Sequence, residues 1–165
     1  MTTVQPVEAD VWRALSEVPD PELPVVNIVE LGMVRGVTVE GGQVRVQFTP
    51  TFSGCPAVQV IRDDIRRAVA QLGASDVQVD TVISPPWSSA DLHDSARRKL
   101  QQAGIAPPAP APSGLDLIRL EAPPVACPHC GSTDTRVTST FGSALCKRMY
   151  VCQHCREPFE GLKSL

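Results

Sequence analysis

Four of the six cysteines stand in two Cys-x-x-Cys pairs, Cys127-Pro128-His129-Cys130 and Cys152-Gln153-His154-Cys155, with 21 residues between them. No other feature constrains the chain as tightly. Each pair forms a knuckle that turns two sulfurs toward one point, and two facing knuckles complete a tetrahedron. Four thiolates closing every position describe a structural zinc site, in preference to a rubredoxin-like iron or a pair of disulfides. A segment this short buries little surface, so the metal would supply its folding energy. Residues 135–140 and 149–151 flank a turn at Phe141-Gly142-Ser143 and read as ribbon strands. His129 and His154 lie inside the knuckles, where the turn aims them outward, and are read as non-ligands. Cys146 is a spare thiol: a small buried residue, or a replacement ligand if the metal is not zinc.

Beyond the ribbon, 165 residues leave room for one ordinary domain, and 42% hydrophobic with 20% charged residues is a soluble composition. A formal charge of −3 gives no electrostatic case for nucleic acid or an anionic membrane. The first ten residues lack the basic and apolar regions of a secretory signal, and no apolar run reaches membrane-span length. A cytoplasmic protein is expected. In a reducing compartment the cysteines read as one metal site plus free thiols.

One of those thiols, Cys55, sits in Thr49-Pro50-Thr51-Phe52-Ser53-Gly54-Cys55-Pro56. Upstream, Val44, Val46 and Phe48 alternate with polar residues, as in a half-buried strand. Downstream, Val58, Ile61, Ile65, Ala68, Val69 and Leu72 recur at steps of three and four, the stripe of an amphipathic helix over residues 56–72. The stretch is a strand-to-helix turn. Gly54 would take a conformation closed to other residues, and Pro56 suits the first helical position. Cys55 would then be the N-cap, where unpaired N–H groups favour thiolate, the form that attacks and binds metal. The hydroxyls of Thr49, Thr51 and Ser53 could add hydrogen bonds. A small buried apolar cysteine is the plainer reading, but packing alone does not ask for Gly before it and Pro after it.

Residues 7–18 carry Val7, Val11, Leu15 and Val18 on one helical face and end at Pro19. Asp20-Pro21-Glu22 is a rigid turn whose two acids, from spacing alone, read as a solvated loop. Residues 34–40, Gly41-Gly42 and residues 43–48 form a hairpin. Residues 76–83 give a third strand. Ser88 and Asp91 resemble a capping box before a helix through Leu92, Ala96 and Leu100 that closes at Gly104. Trp87 is read as core. Residues 105–114, with Pro107, Pro108, Pro110 and Pro112, read as irregular, semi-extended linker. The expected architecture is an α/β (α+β) domain over residues 1–104 in the order helix–strand–strand–helix–strand–helix, a Pro/Ala-rich linker over 105–124 and a zinc ribbon over 125–165.

Asp20-Pro21-Glu22 followed by Thr49 through Pro56 resembles the small α/β domain of iron–sulfur-cluster assembly factors, the SufT-like group. Adding Pro85-Pro86-Trp87, residues 104–108, Phe141-Gly142-Ser143, Cys146-Lys147 and Glu157-Pro158-Phe159, the chain resembles the PaaD family of the phenylacetyl-CoA epoxidase system of phenylacetate degradation. Its tail, residues 160–165, is poorer in aromatic residues than that family's. The resemblance implies an accessory role in maturing a multicomponent monooxygenase, whose parts include a diiron oxygenase and an iron–sulfur reductase. It also implies that Asp20 and Glu22 lie near Cys55. The residues fit independently. No histidine precedes His93, so the first domain lacks a diiron ligand set, and no nucleotide-binding glycine loop is present. One thiolate cannot hold a cluster alone, so two copies, or one copy and a client, would share it transiently. The competing reading is a structural component that docks through its ribbon without cluster chemistry. A thiol enzyme lacks an evident base for Cys55.

Overall fold

The computed structural model describes residues 5–109 and 124–164. These fall into two units, one ending at Trp87 and the other starting at Ser88.

The first unit opens with α1 (Glu8–Leu15), which seals Val11 and Leu15, one turn apart, against the core. The helix stops earlier than the apolar period implies. Its end tightens into three-residue steps, Glu17 N–H to Ala14 O and Val18 N–H to Leu15 O, before Pro19. The hairpin of β1 (Val34–Glu40) and β2 (Gln43–Phe48) keeps the bounds read from sequence. Gly41 and Gly42 both hold positive φ, 56° and 85°, the backbone that a two-residue hairpin turn demands. Next, α2 (Val58–Ala70) buries Ile61, Ile65 and Val69 and pairs its exposed charges as Asp63–Arg66 and Asp64–Arg67. It leads to β3 (Asp76–Thr81), which lies parallel to β2 from Gln43↔Asp76 to Phe48↔Thr81. The sheet order is β1-β2-β3.

The alternation of β2 decides which face is covered. Val44, Val46 and Phe48 are buried, while Gln43, Arg45 and Gln47 face solvent, where Arg45 pairs with Asp80 at 2.6 Å. Trp87 is core as expected, its indole N–H donating to Leu31 O at 2.7 Å.

The second unit starts with a single 3₁₀ turn, Ser89–Asp91, closed by the expected capping box between Ser88 and Asp91. Then come α3 (Asp94–Gln102), β4 (Ile105–Ala106), β5 (Thr135–Ser139), β6 (Lys147–Cys152) and β7 (Pro158–Leu162). The sheet order is β4-β7-β6-β5, with β4 parallel to β7 and the other pairs antiparallel. One feature departs from the sequence reading. Ile105 and Ala106, expected to be irregular, form a strand against Glu160 and Gly161, because a two-residue pairing needs neither period nor freedom from the prolines that follow. The first three residues of the tail complete β7, which buries Phe159 and Leu162, and Lys163 just beyond it is buried as well. Residues 110–123, most of the expected linker, lie outside the described residues. The architecture is α+β with two separate sheets.

Phe48 is fully buried at the end of the central strand. Phe48→Ala should cost about 3–5 kcal/mol of stability. Chemical denaturation monitored at Trp12 and Trp87 would check this, and a loss below about 1 kcal/mol would mean that β2 is not the centre of this core.

Candidate functional site

Two places carry chemistry. The first is the β2–α2 turn. Because β2 and β3 are parallel, the chain must leave the end of β2, cross over through α2 and return, and the turn begins where Phe48 ends the strand. Thr49 N–H donates to Met33 O and Val82 N–H to Phe48 O, so the segments before β1 and after β3 are tied to the same end of the sheet. Thr49 and Thr51 are buried; Ser53 and Gly54 are exposed; Cys55 is half-buried.

The turn differs from its expected geometry. The helix starts at Val58 with Ala57 as N-cap, so Cys55 is not the cap and Pro56 precedes the first helical turn. Cys55 N–H donates to Phe52 O, closing a tight turn ahead of the helix that adds residues before it can begin. Val58 N–H donates to Cys55 O at 3.4 Å, and the N–H groups of Ala57 and Val58 both act to lower the pKa of the Cys55 thiol. Nor does Gly54 adopt a left-handed backbone. A Cβ added there would lie 3.2 Å from Cε1 of the Phe52 ring, a tight approach that the half-buried ring would have to relieve by shifting a few tenths of an ångström.

The expected thiolate-favouring environment is also corrected. Burial pushes the Cys55 thiol up from its ordinary value; the Ala57 N–H opposes this, the negative charges of Asp20 and Glu22 add to it, and the Val58 N–H pulls it down. The thiol is therefore held protonated more than an ordinary cysteine. That interaction also places both acids near Cys55. Asp20 is only 4% exposed, which overturns the solvated-loop reading for it. Its Oδ1 accepts from Glu22 N–H at 2.8 Å and Leu23 N–H at 2.9 Å, so the carboxylate organises its own turn. Spacing could not reveal this, since an acid two residues before another looks the same in a wet loop. The backbone donors of Ala57 and Val58 carry no residue-type signal at all.

The second place is the four-cysteine centre. Sulfur atoms of Cys127, Cys130, Cys152 and Cys155 all lie within 4.8 Å of one another. Cys127–Cys155 and Cys130–Cys152 are separated by 3.7 and 3.6 Å. A tetrahedral ion with metal–sulfur bonds of about 2.3 Å has edges of about 3.8 Å, so the donor set fits. The two knuckles are built alike. Gly131 N–H donates to Cys127 O and Arg156 N–H to Cys152 O, while Cys127 N–H and Cys152 N–H reach Ser132 O and Glu157 O. The fifth residue of each turn is left-handed, at φ 76° for Gly131 and 67° for Arg156. The Cys155 N–H brings the Cys152 thiol down to about 6 against the effect of burial, helped by the His154 N–H and the neighbouring sulfurs. Cys155 goes up to about 12: the Glu157 N–H pulls it down, but burial and the other three sulfurs outweigh that donor. A cation among the sulfurs relieves such crowding. His129 and His154 are exposed and outside the cluster. Cys146 precedes β6 and Cys152 ends it, so about 20 Å of strand separates them. The replacement-ligand reading of Cys146 is therefore dropped. Among the described residues no helix is long and apolar enough to cross a membrane.

Alkylation of Cys55 by iodoacetamide, followed on its own peptide, should show a pH midpoint above that of an ordinary cysteine, because only thiolate reacts. Glu22→Gln removes one opposing charge and should lower the midpoint and speed the reaction near neutral pH. A midpoint at or below the ordinary value, or no response to Glu22→Gln, would contradict the electrostatics described.

Residues 8–81 match the model of an iron-sulfur cluster assembly protein family, and residues 113–163 that of a PaaD zinc beta ribbon domain. The chain is 41% identical, over its full length and 98% of the relative, to an Escherichia coli protein named as a "Putative 1,2-phenylacetyl-CoA epoxidase" subunit. It is 36% identical over 56% of its length to a Porphyromonas gingivalis "Fe-S protein maturation auxiliary factor", covering 90% of that protein. A crystal structure of a domain of unknown function, DUF59, from Bacillus anthracis superimposes with a TM-score of 0.54 at 31% identity, over 56% of this chain and 90% of that one. The chain belongs to the PaaD family, in which an iron–sulfur-cluster-assembly domain is followed by a zinc ribbon.

Proposed function

We propose that the protein is a non-catalytic accessory subunit of the multicomponent phenylacetyl-CoA 1,2-epoxidase. In this reading it assists iron or iron–sulfur maturation of the reductase or diiron oxygenase component through Cys55, in the cytoplasm. The observation that carries the reading is the half-buried Cys55 held at the β2–α2 turn, closed by its own N–H to Phe52 O, with the negative charges of Asp20 and Glu22 acting on its thiol. The family match over residues 8–81 supports it, as do the relatives named as maturation factors.

The cluster or iron is cargo. As an iron–sulfur bond forms, the Cys55 thiol gives its proton to solvent; when a client thiolate displaces it, the proton is taken back. Burial, Asp20 and Glu22 all disfavour the free thiolate. They make a proton a stronger competitor for this sulfur than for that of an ordinary cysteine, which suits release over retention. Asp20 sets the turn through its two N–H bonds, and Glu22 contributes charge. The buried Thr49 and Thr51 and the exposed Ser53 and Gly54 complete the turn that presents the sulfur. A single thiol leaves the remaining cluster ligands to a client or a second copy. The ribbon centre takes zinc, bound by Cys127, Cys130, Cys152 and Cys155, as a closed structural site. It supplies folding energy and no reaction step.

Cys55→Ala should fold with a loss under about 1 kcal/mol, since the side chain is only half-buried and the hydrogen bonds of this turn run through the backbone of residue 55, which alanine keeps. Coexpressed with the epoxidase components, it should leave them deficient in iron or cluster and inactive, where the wild-type chain restores both. Full activity with Cys55→Ala would leave the structural, ribbon-docking role as the reading. Lost activity with normal iron and sulfide content would move Cys55 into turnover itself.

A further inference from the structure

Residues 82–112 fall between the two family matches, which end at 81 and begin at 113. Part of that stretch is nevertheless built into the ribbon. Ala106, fully buried on β4, belongs to the same apolar cluster as Cys127, Cys152, Tyr150 and Phe159, with Val125 and Cys155 packed against it. Cys127 and Cys152 are metal-site cysteines with almost no exposed surface. The seat for β4 is shaped by size. A Cβ on Gly161 would come 2.9 Å from the Tyr150 ring and 3.4 Å from Ala106 Cβ, so strand and ring close only over a glycine. Tyr150 is in turn stacked on Phe159 at 5.3 Å.

The helix before β4 is tied to the same place. Gly104, at the end of α3, turns with φ +76°, and its Cβ position lies 3.6 Å from the His129 ring, inside the first knuckle. Arg97 on α3 donates to Ser89 O at 2.6 Å and Pro108 O at 2.9 Å, clasping the segments on either side of the helix and β4. Leu100 and Ala96 are buried along the same helix.

We propose that the four-cysteine centre and the α3–β4 arm form one cooperative unit, so that metal occupancy decides whether the arm is docked on the ribbon. A two-residue strand cannot hold itself in place. Its seat consists of side chains that the knuckles position, and in small metal modules the binding energy of the ion is the folding energy of the module. Withdrawing the ion removes the seat and frees the arm. Binding linkage makes the effect reciprocal: loosening the arm weakens the hold on the ion by the same factor. This inference rests on the ribbon centre and is independent of Cys55.

The test uses the full chain carrying its metal. Amide hydrogen exchange is recorded before and after withdrawal of the ion by the chromophoric chelator 4-(2-pyridylazo)resorcinol. Protection of Asp94–Gln102 and Ile105–Ala106 should fall at least about tenfold on withdrawal, while that of Val58–Ala70 stays unchanged. In Arg97→Met, which loses the clasp far from any ligand, equilibrium competition with the chelator should show the affinity for the ion lowered about fivefold. Unchanged protection of α3 and β4 without metal would overturn the proposal. So would an arm that exchanges freely in Arg97→Met while the ion is held with wild-type affinity, or a chain that binds no metal.

Discussion

The parallel pairing of β2 with β3 is the constraint on which the first unit depends. Antiparallel neighbours can be joined by two residues, as Gly41-Gly42 join β1 to β2; parallel neighbours cannot, and the chain must cross over. That crossover is α2, and it forces a turn at the end of the central strand. Met33 and Val82 tie the flanking segments to the same end. Cys55 is therefore held by the sheet's connectivity, on a turn whose position is set before any local preference of its residues acts. The same end of the sheet brings in Asp20 and Glu22, from a loop more than thirty residues earlier.

The second unit is organised by ligation instead of by area. Its apolar cluster is small and includes the metal-site cysteines themselves. Two knuckles with the same internal hydrogen bonds face each other, and the left-handed fifth position is met by glycine in one and tolerated by Arg156 in the other. At the far end of β6, Glu160 accepts from Ser143 and pairs with the nearly buried Lys147 at 3.4 Å, fixing the turn after β5. Burial pushes the Glu160 carboxyl up, but the Ser143 donors and the Lys147 charge outweigh it and hold the group below its usual value.

Much of this is legible in the sequence. The hairpin is readable to the residue because Gly41-Gly42 is a local signal with one geometric meaning. The four clustered sulfurs are readable because Cys-x-x-Cys spacing restricts a turn directly. The Cys55 turn is located by its flanking periods, but its details are not. A proline after a candidate cap fits either the helix or a turn before it, and here it belongs to the turn. The sign of the Cys55 shift depends on burial and on two acids distant in sequence, neither of which a local window contains. Strands β4 and β7 escape detection for a related reason. Two residues show no period, and the tail alternates poorly because Gly161 is there to admit the Tyr150 ring. Asp20 looks like a wet acid because its hydrogen bonds go to backbone, which has no sequence signature.

The central claim, that Cys55 passes iron or a cluster to an epoxidase component, is tested most directly by transfer between purified proteins. The chain is reconstituted anaerobically with iron and sulfide, desalted, and mixed with the apo form of the iron–sulfur reductase component. Growth of the reductase's cluster absorption is then followed in the presence of an iron chelator. The predicted result is chelator-resistant transfer from the wild-type chain and none from Cys55→Ala. Transfer at equal rates from both, or reconstitution that the chelator abolishes equally in both, would contradict it.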